Sequence, residues 1–149
     1  MKKIWGPITW TLLHVMADRI NDEDYEHING CVNTIISICG NLPCVLCSDS
    51  ISNIISRYKI KLIRSKKDLI DFVFTIHNEV NKKLKKTIYD KDILIKYSRN
   101  NFTEVLNVFF RTYNNRTYNR NLLLHSFRKN IMLDNIRKYF INNRKLYNI

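Results

Sequence analysis

The densest chemistry in the chain sits in Pro43-Cys44-Val45-Leu46-Cys47. Two cysteines separated by two residues can close a small disulfide when helix geometry brings them together. At a helix N-terminus the dipole and the free N–H groups stabilise a thiolate, so such a pair becomes reactive. Other uses compete. A zinc half-site needs a second pair, but Cys31 and Cys39 are not so spaced and the histidines are scattered. A thioredoxin-like site needs a βαβ setting and a later cis-proline, and no proline follows Pro43. A coincidental buried pair is the third alternative.

A fourth use depends on residues elsewhere. Trp10 and His14 are four apart, hence on one face of a helix. His77 and Asn81 have the same spacing, with Asn78 and Lys82 on the adjacent stripe. A single histidine on an amphipathic helix is most often structural. Together, Trp, His, Asn and Lys side chains suit an adenine ring, a ribose and a pyrophosphate. The cysteine pair then reads as a redox disulfide working beside a flavin.

Three ordered segments resemble the Erv/ALR sulfhydryl oxidase family. Trp5-Gly6-Pro7-Ile8-Thr9-Trp10-Thr11-Leu12-Leu13-His14 is similar to its first FAD-contacting signature. Leu42-Pro43-Cys44-Val45-Leu46-Cys47 is similar to its redox centre, and His77-Asn78-Glu79-Val80-Asn81-Lys82-Lys83-Leu84 to its second FAD segment. The resemblance runs from about Ile4 to Tyr97. It implies a helical bundle that holds FAD without a glycine-rich loop. It also implies a cofactor set of Trp5, Gly6, Trp10, His14, His77, Asn78, Val80, Asn81, Lys82, Leu84, Lys85 and Tyr97. Cys44 is then the interchange thiol and Cys47 the flavin-proximal thiol, with electrons passing to oxygen and hydrogen peroxide as product. No metal is expected.

The chain departs from cellular members in two ways. It has no second CxxC to act as a shuttle, and no cysteine follows Cys47 to form the family's structural disulfide near Phe72-Val73-Phe74. Electrons are therefore expected directly from a dithiol donor protein, thioredoxin-like or a small CxxC protein. This reduced form is similar to the oxidases of large cytoplasmic DNA viruses, which implies a place in the host cytoplasm or the virion. A homodimer through the first two helices is the family expectation.

The elements that must position these groups are helices. Only three glycines and two prolines occur, all at or before Pro43, which disfavours β-rich and α/β folds. Apolar spacing predicts a first helix over about Ile8 to Ile20 and a second from Tyr25 to Cys39. A third helix begins at Cys44, with Ile51, Ile54, Ile55 and Tyr58 on its face. Ser65 and Asp68 resemble a capping box for a fourth helix bearing Leu69, Ile70, Val73, Ile76, Val80 and Leu84. A short fifth element spans about Asp90 to Tyr97. The expected class is all-α: a four-helix bundle plus a short fifth helix over residues 1–97, and a basic helical extension over 98–149.

From Lys96 onward eleven Lys and Arg face only Glu104 and Asp134, so most of the net charge of +12 lies in the last third. Val105, Leu106, Phe109 and Phe110, then Leu123, Phe127, Ile131 and Ile136, keep helical spacing. Two further helices with buried apolar faces are expected, Val105/Phe109 and Phe127/Ile131 among the buried pairs. A nucleic-acid arm is the less favoured use of the charge. No signal peptide is expected, and no apolar run reaches the ~20 residues of a membrane helix. Cys31 and Cys39 are expected as buried thiols, with an intersubunit bridge as the lesser alternative. The rival for the whole chain is a non-enzymatic, basic virion or nucleic-acid-binding protein with an incidental CxxC.

Overall fold

The computed structural model describes residues 2–21, 24–114 and 123–148. Residues 115–122 of the basic run and the side chain of Leu123 lie outside that description. Among the described residues seven α-helices follow one another: α1 (Lys2–Arg19), α2 (Tyr25–Cys39), α3 (Val45–Ile55), α4 (Lys66–Lys83), α5 (Leu94–Ser98), α6 (Phe102–Tyr113) and α7 (Leu123–Asn143). Among the described residues there is no strand, only a single antiparallel bridge between Ile20 and Tyr147. None of these helices is long and apolar enough to cross a membrane.

The boundaries follow local chemistry. Asp24 caps α2 by accepting from the Glu26 N–H, and Cys44 caps α3 with its own sulfur. The Ser65 hydroxyl accepts from the Asp68 N–H at 3.1 Å, and the Asp68 carboxylate reaches back to the Arg64 N–H, also at 3.1 Å. The expected box is thus present, its return bond shifted one residue upstream. Helix α1 starts six residues earlier than its spacing predicts, with Pro7 inside it. Thr9 Oγ1 donates to the Trp5 carbonyl at 2.7 Å, and Trp5 is buried, so packing carries the helix through a residue that lacks an N–H.

Helix α1 is the centre of the molecule. It packs on α4, α5 and α6, while α2 and α3 close the remaining side of the bundle. Leu12, Leu13, Val15 and Met16 of α1 are fully buried, with Ile28, Val32, Ile35 and Ile38 of α2 and Leu69, Val73 and Ile76 of α4. Leu84, expected on the apolar face of α4, lies just past its end and is exposed.

The C-terminal helices share this core. In α6, Phe102, Phe109 and Tyr113 are buried, and the Tyr113 hydroxyl is hydrogen-bonded to Thr9 of α1 at 2.6 Å. Arg19 donates to the carbonyls of Ser98 and Asn100, tying the end of α1 to the link before α6. Helix α7 turns Lys129, Met132, Leu133, Ile136 and Phe140 inward. Phe127 (62% exposed) and Ile131 (46%) point outward, contrary to expectation. At 100° per residue they fall opposite Met132 and Ile136, and both faces of α7 are apolar enough to compete for the core. The chain end is stitched to α1 by the Asn148 N–H on the Arg19 carbonyl at 2.8 Å.

Phe109 of α6 has no exposure, and its ring lies 4.2 Å from that of Tyr113. Phe109→Ala should lower unfolding free energy by about 3–5 kcal/mol in denaturant titration. A loss within experimental error would show that α6 contributes little to the core.

Candidate active site: a cysteine pair and an aromatic–histidine cluster

Cys44 and Cys47 form a disulfide with Cα atoms 5.2 Å apart. The pair lies at the N-terminus of α3, as its sequence context predicts. Cys44 Sγ accepts the Cys47 N–H at 3.2 Å, so the first turn of the helix directs a donor at that sulfur. Both cysteines are half-buried, whereas Leu46 between them is 79% exposed. The preceding loop is fixed by polar contacts. The Leu42 N–H donates to Ser48 Oγ at 2.8 Å, and the Ser48 N–H donates to the Cys44 carbonyl at 3.0 Å. From the far end of the sequence, His125 Nε2 meets the Leu42 carbonyl at 2.5 Å.

The second part of the site brings together α1, α4 and α5. The rings of Trp10 and His77 stack at 4.0 Å with 7° between planes, and those of His14 and Tyr97 at 4.1 Å and 8°. His14 Nε2 and His77 Nδ1 are hydrogen-bonded at 2.9 Å. Burial, followed by the charge of its partner His77, pushes the His14 pKa down to about 3. Burial, followed by nearby Lys86, pushes His77 down to about 4. Both rings are therefore neutral at pH 7, and one donates its N–H to the bare nitrogen of the other.

Tyr89 joins this cluster edge-on against His77 at 5.5 Å. Asn78 holds it there: its amide donates to the Tyr89 carbonyl and accepts the Tyr89 N–H, both at 2.9 Å. Asn78 thus positions a loop, and Tyr89 enters the site without any signal from motif spacing. Asn81 is buried, and its carbonyl accepts the Lys86 N–H at 2.8 Å. That bond closes the end of α4 around Lys85, which sits in the left-handed region at φ 56°. Glycine is the usual occupant of this position. Lys82, Lys83, Lys85 and Lys86 are all exposed here.

Three other expected site residues differ in their surroundings. Trp5 is packed in the core; a Cβ added to Gly6 would meet open space; Val80 is half-buried. Two surface clefts lie away from the rings. One, of about 290 Å³, is lined by Pro7, Thr11, Asn101 and Glu104 among others; the second, of about 230 Å³, lies beside Tyr58, Phe72 and Thr75. Neither is lined by His14 or His77. The ring cluster remains the better candidate, because stacked neutral rings with the charge of Lys86 close to His77 suit the rings and diphosphate of a dinucleotide.

A family profile described as Erv1 / Alr matches residues 7–104. The chain belongs to the Erv1/Alr family. Two relatives named FAD-linked sulfhydryl oxidase, from Kenyan and Malawian isolates of African swine fever virus, are each 32% identical over 114 residues. Those alignments cover 66% of this chain and 92% of each relative. Protein 096R of Invertebrate iridescent virus 3, provisionally described as an FAD-linked sulfhydryl oxidase, is 35% identical over 86 residues, 56% of this chain and 58% of its own. No solved structure matches the chain at a significant level. The chain thus groups with viral members of the Erv1/Alr family, and the family match ends within α6.

The neutral imidazole pair predicts an acid response. In the unfolded chain both histidines titrate near 6.5; folded, they resist protonation until about 4 and about 3. Between those limits the unfolded state binds more protons, so the stability these rings contribute is complete above pH 6.5 and is lost as pH falls. Denaturant titrations should show unfolding free energy declining from pH 7 to pH 4.5, and His77→Gln should flatten that decline. An unchanged slope in the variant would assign the acid sensitivity to other groups.

Proposed function

We propose that this chain is an FAD-linked thiol oxidase that forms disulfides in protein substrates. The observation that carries the reading is the closed Cys44–Cys47 pair at the start of α3, in a chain whose residues 7–104 match the Erv1/Alr family. The names of the viral relatives support the same activity.

In the exchange step, a donor thiolate attacks Cys44 Sγ. A donor–Cys44 bond forms, the Cys44–Cys47 bond breaks, and its electron pair leaves on Cys47 as a thiolate. The donor's second thiolate then attacks the donor sulfur of the mixed disulfide and expels Cys44 as a thiolate. The donor departs oxidised, and the pair holds two electrons. The interchange role of Cys44 is supported by its sulfur facing the Cys47 N–H at the helix start, a favourable seat for the expelled thiolate. FAD, when bound, would supply the acceptor for those electrons and the route to oxygen, with hydrogen peroxide as product.

The residues suited to hold FAD are Trp10, His14, His77 and Tyr97 through their ring faces, and Lys82 and Lys85 through charge. Neutral His14 and His77 keep positive charge out of the ring layer and leave it to the lysines. Trp5, Gly6, Val80, Asn81 and Leu84 complete the proposed lining, with Asn78 acting through Tyr89. We further propose residues 1–97 as the oxidase domain, 98–149 as an extension, a homodimer as the working unit, and a thioredoxin-like or small CxxC protein as donor. Cytoplasmic virus assembly is the setting in which such an oxidase is needed.

The purified protein should be yellow and should consume oxygen with dithiothreitol. Cys47→Ser should abolish flavin reduction by thiols, whereas Cys44→Ser should leave a thiolate beside the flavin and add a long-wavelength absorbance band. A colourless protein without oxygen uptake after refolding with FAD would overturn the reading, and a band in Cys47→Ser alone would reverse the two roles. Lys85→Gly should raise the stability of the flavin-free chain by roughly 1 kcal/mol, by relieving the left-handed backbone, and should weaken flavin retention. Unchanged retention would remove Lys85 from the cofactor site.

A further inference from the structure

The family match stops at residue 104, yet one residue beyond it reaches the redox loop. His125, in the first turns of α7, meets the Leu42 carbonyl at 2.5 Å. A carbonyl oxygen only accepts, so Nε2 carries the proton and donates it.

The acceptor is a particular one. The Leu42 carbonyl belongs to the Leu42–Pro43 peptide, which has no N–H because proline supplies none. That carbonyl is the only hydrogen-bonding group on the peptide plane. Pro43 then fixes its own φ near −65°, leaving its ψ as the one soft backbone rotation before the Cys44 nitrogen. On the other side of Leu42, the N–H is held by Ser48 Oγ at 2.8 Å, and the Leu42 side chain is buried. With His125 in place, both polar groups of Leu42 are fixed, one from α3 and one from α7.

We infer that His125 is a positioning residue for thiol exchange at Cys44, supplied by the C-terminal extension through the Leu42 carbonyl. The inference rests on Cys44 being the interchange thiol. Its effect is greatest once exchange has begun. While the Cys44–Cys47 bond is closed, the disulfide itself holds Cys44 against α3. When a donor–Cys44 bond replaces it, that covalent tie is lost, and the His125–Leu42–Ser48 clamp keeps the Cys44 sulfur beside Cys47. The extension thereby acts on the cysteine pair without contributing a reacting atom.

The test uses the full-length, FAD-loaded protein with dithiothreitol as donor. His125→Phe keeps a ring but loses the donor, whereas His125→Gln restores an N–H at similar reach. Stopped-flow flavin reduction should slow about threefold to tenfold in His125→Phe, the effect of losing one hydrogen bond, and recover in His125→Gln. Flavin reoxidation by oxygen and the melting temperature of the oxidised protein should be alike in all three. Wild-type reduction rates in His125→Phe, beside an inactive Cys44→Ser control, would overturn the clamp alone. So would equal slowing in both His125 variants that tracks a lowered melting temperature, since packing would then account for it. Full turnover in Cys44→Ser would overturn the assignment of Cys44 and the clamp with it.

Discussion

Two neutral imidazoles share a single hydrogen bond where α1 crosses α4, and much of the molecule is arranged to keep that bond dry. His14 and His77 each lie against a further ring, Tyr97 for one and Trp10 for the other. The four side chains come from three helices, so no single helix can shift without breaking a stack. Burial keeps protons off the rings. A proton on both rings would place two donors face to face, and a charge on either would be held where burial disfavours it. The polar centre of the bundle is thus tolerated because the two rings hydrogen-bond each other, and that bond ties α1 to α4.

The same helix that carries His14 also anchors the last third of the chain. Thr9 meets Tyr113 of α6, Arg19 meets the carbonyls before α6, and the backbone after Ile20 meets the chain end. The extension is therefore integrated with the bundle. Its positive charge sits on a framework whose inner face is as apolar as the rest of the core. Leu124, Phe127 and Ile131 remain exposed on α7, spaced three and four apart, beside a buried face formed by Met132, Ile136 and Phe140.

Much of this was legible in the sequence where one residue type does one job. Ser65 and Asp68 are a cap because their side chains reach backbone N–H groups within a single turn. The cysteine pair lies at a helix start because Pro43 precedes it and Gly40 ends the helix before. Trp10/His14 and His77/Asn81 share faces by periodicity. Where the sequence offered two equal choices, reading failed. Helix α7 carries apolar residues on both sides, and only packing against α2 decides that Met132 and Ile136 go in while Phe127 and Ile131 stay out. Helix α1 extends past a proline because Trp5 has a core site to fill. Tyr89 and His125 were invisible for another reason: each enters the site through a backbone carbonyl or amide contact, and no residue pattern encodes such a partner.

Cys31 and Cys39 have no exposure, and burial pushes both thiols up to about 12. Cys31 is further enclosed by Tyr139 and Tyr147, whose hydroxyls are hydrogen-bonded to each other at 2.5 Å. At neutral pH these sulfurs are therefore protonated thiols, and neither is exposed to solvent. The two sulfurs outside the Cys44–Cys47 pair are in this way withdrawn from thiol exchange. For the bench, the native protein should register as a two-thiol molecule after mild reduction and as a four-thiol molecule in denaturant, which makes simple alkylation counting a gauge of whether its interior has opened.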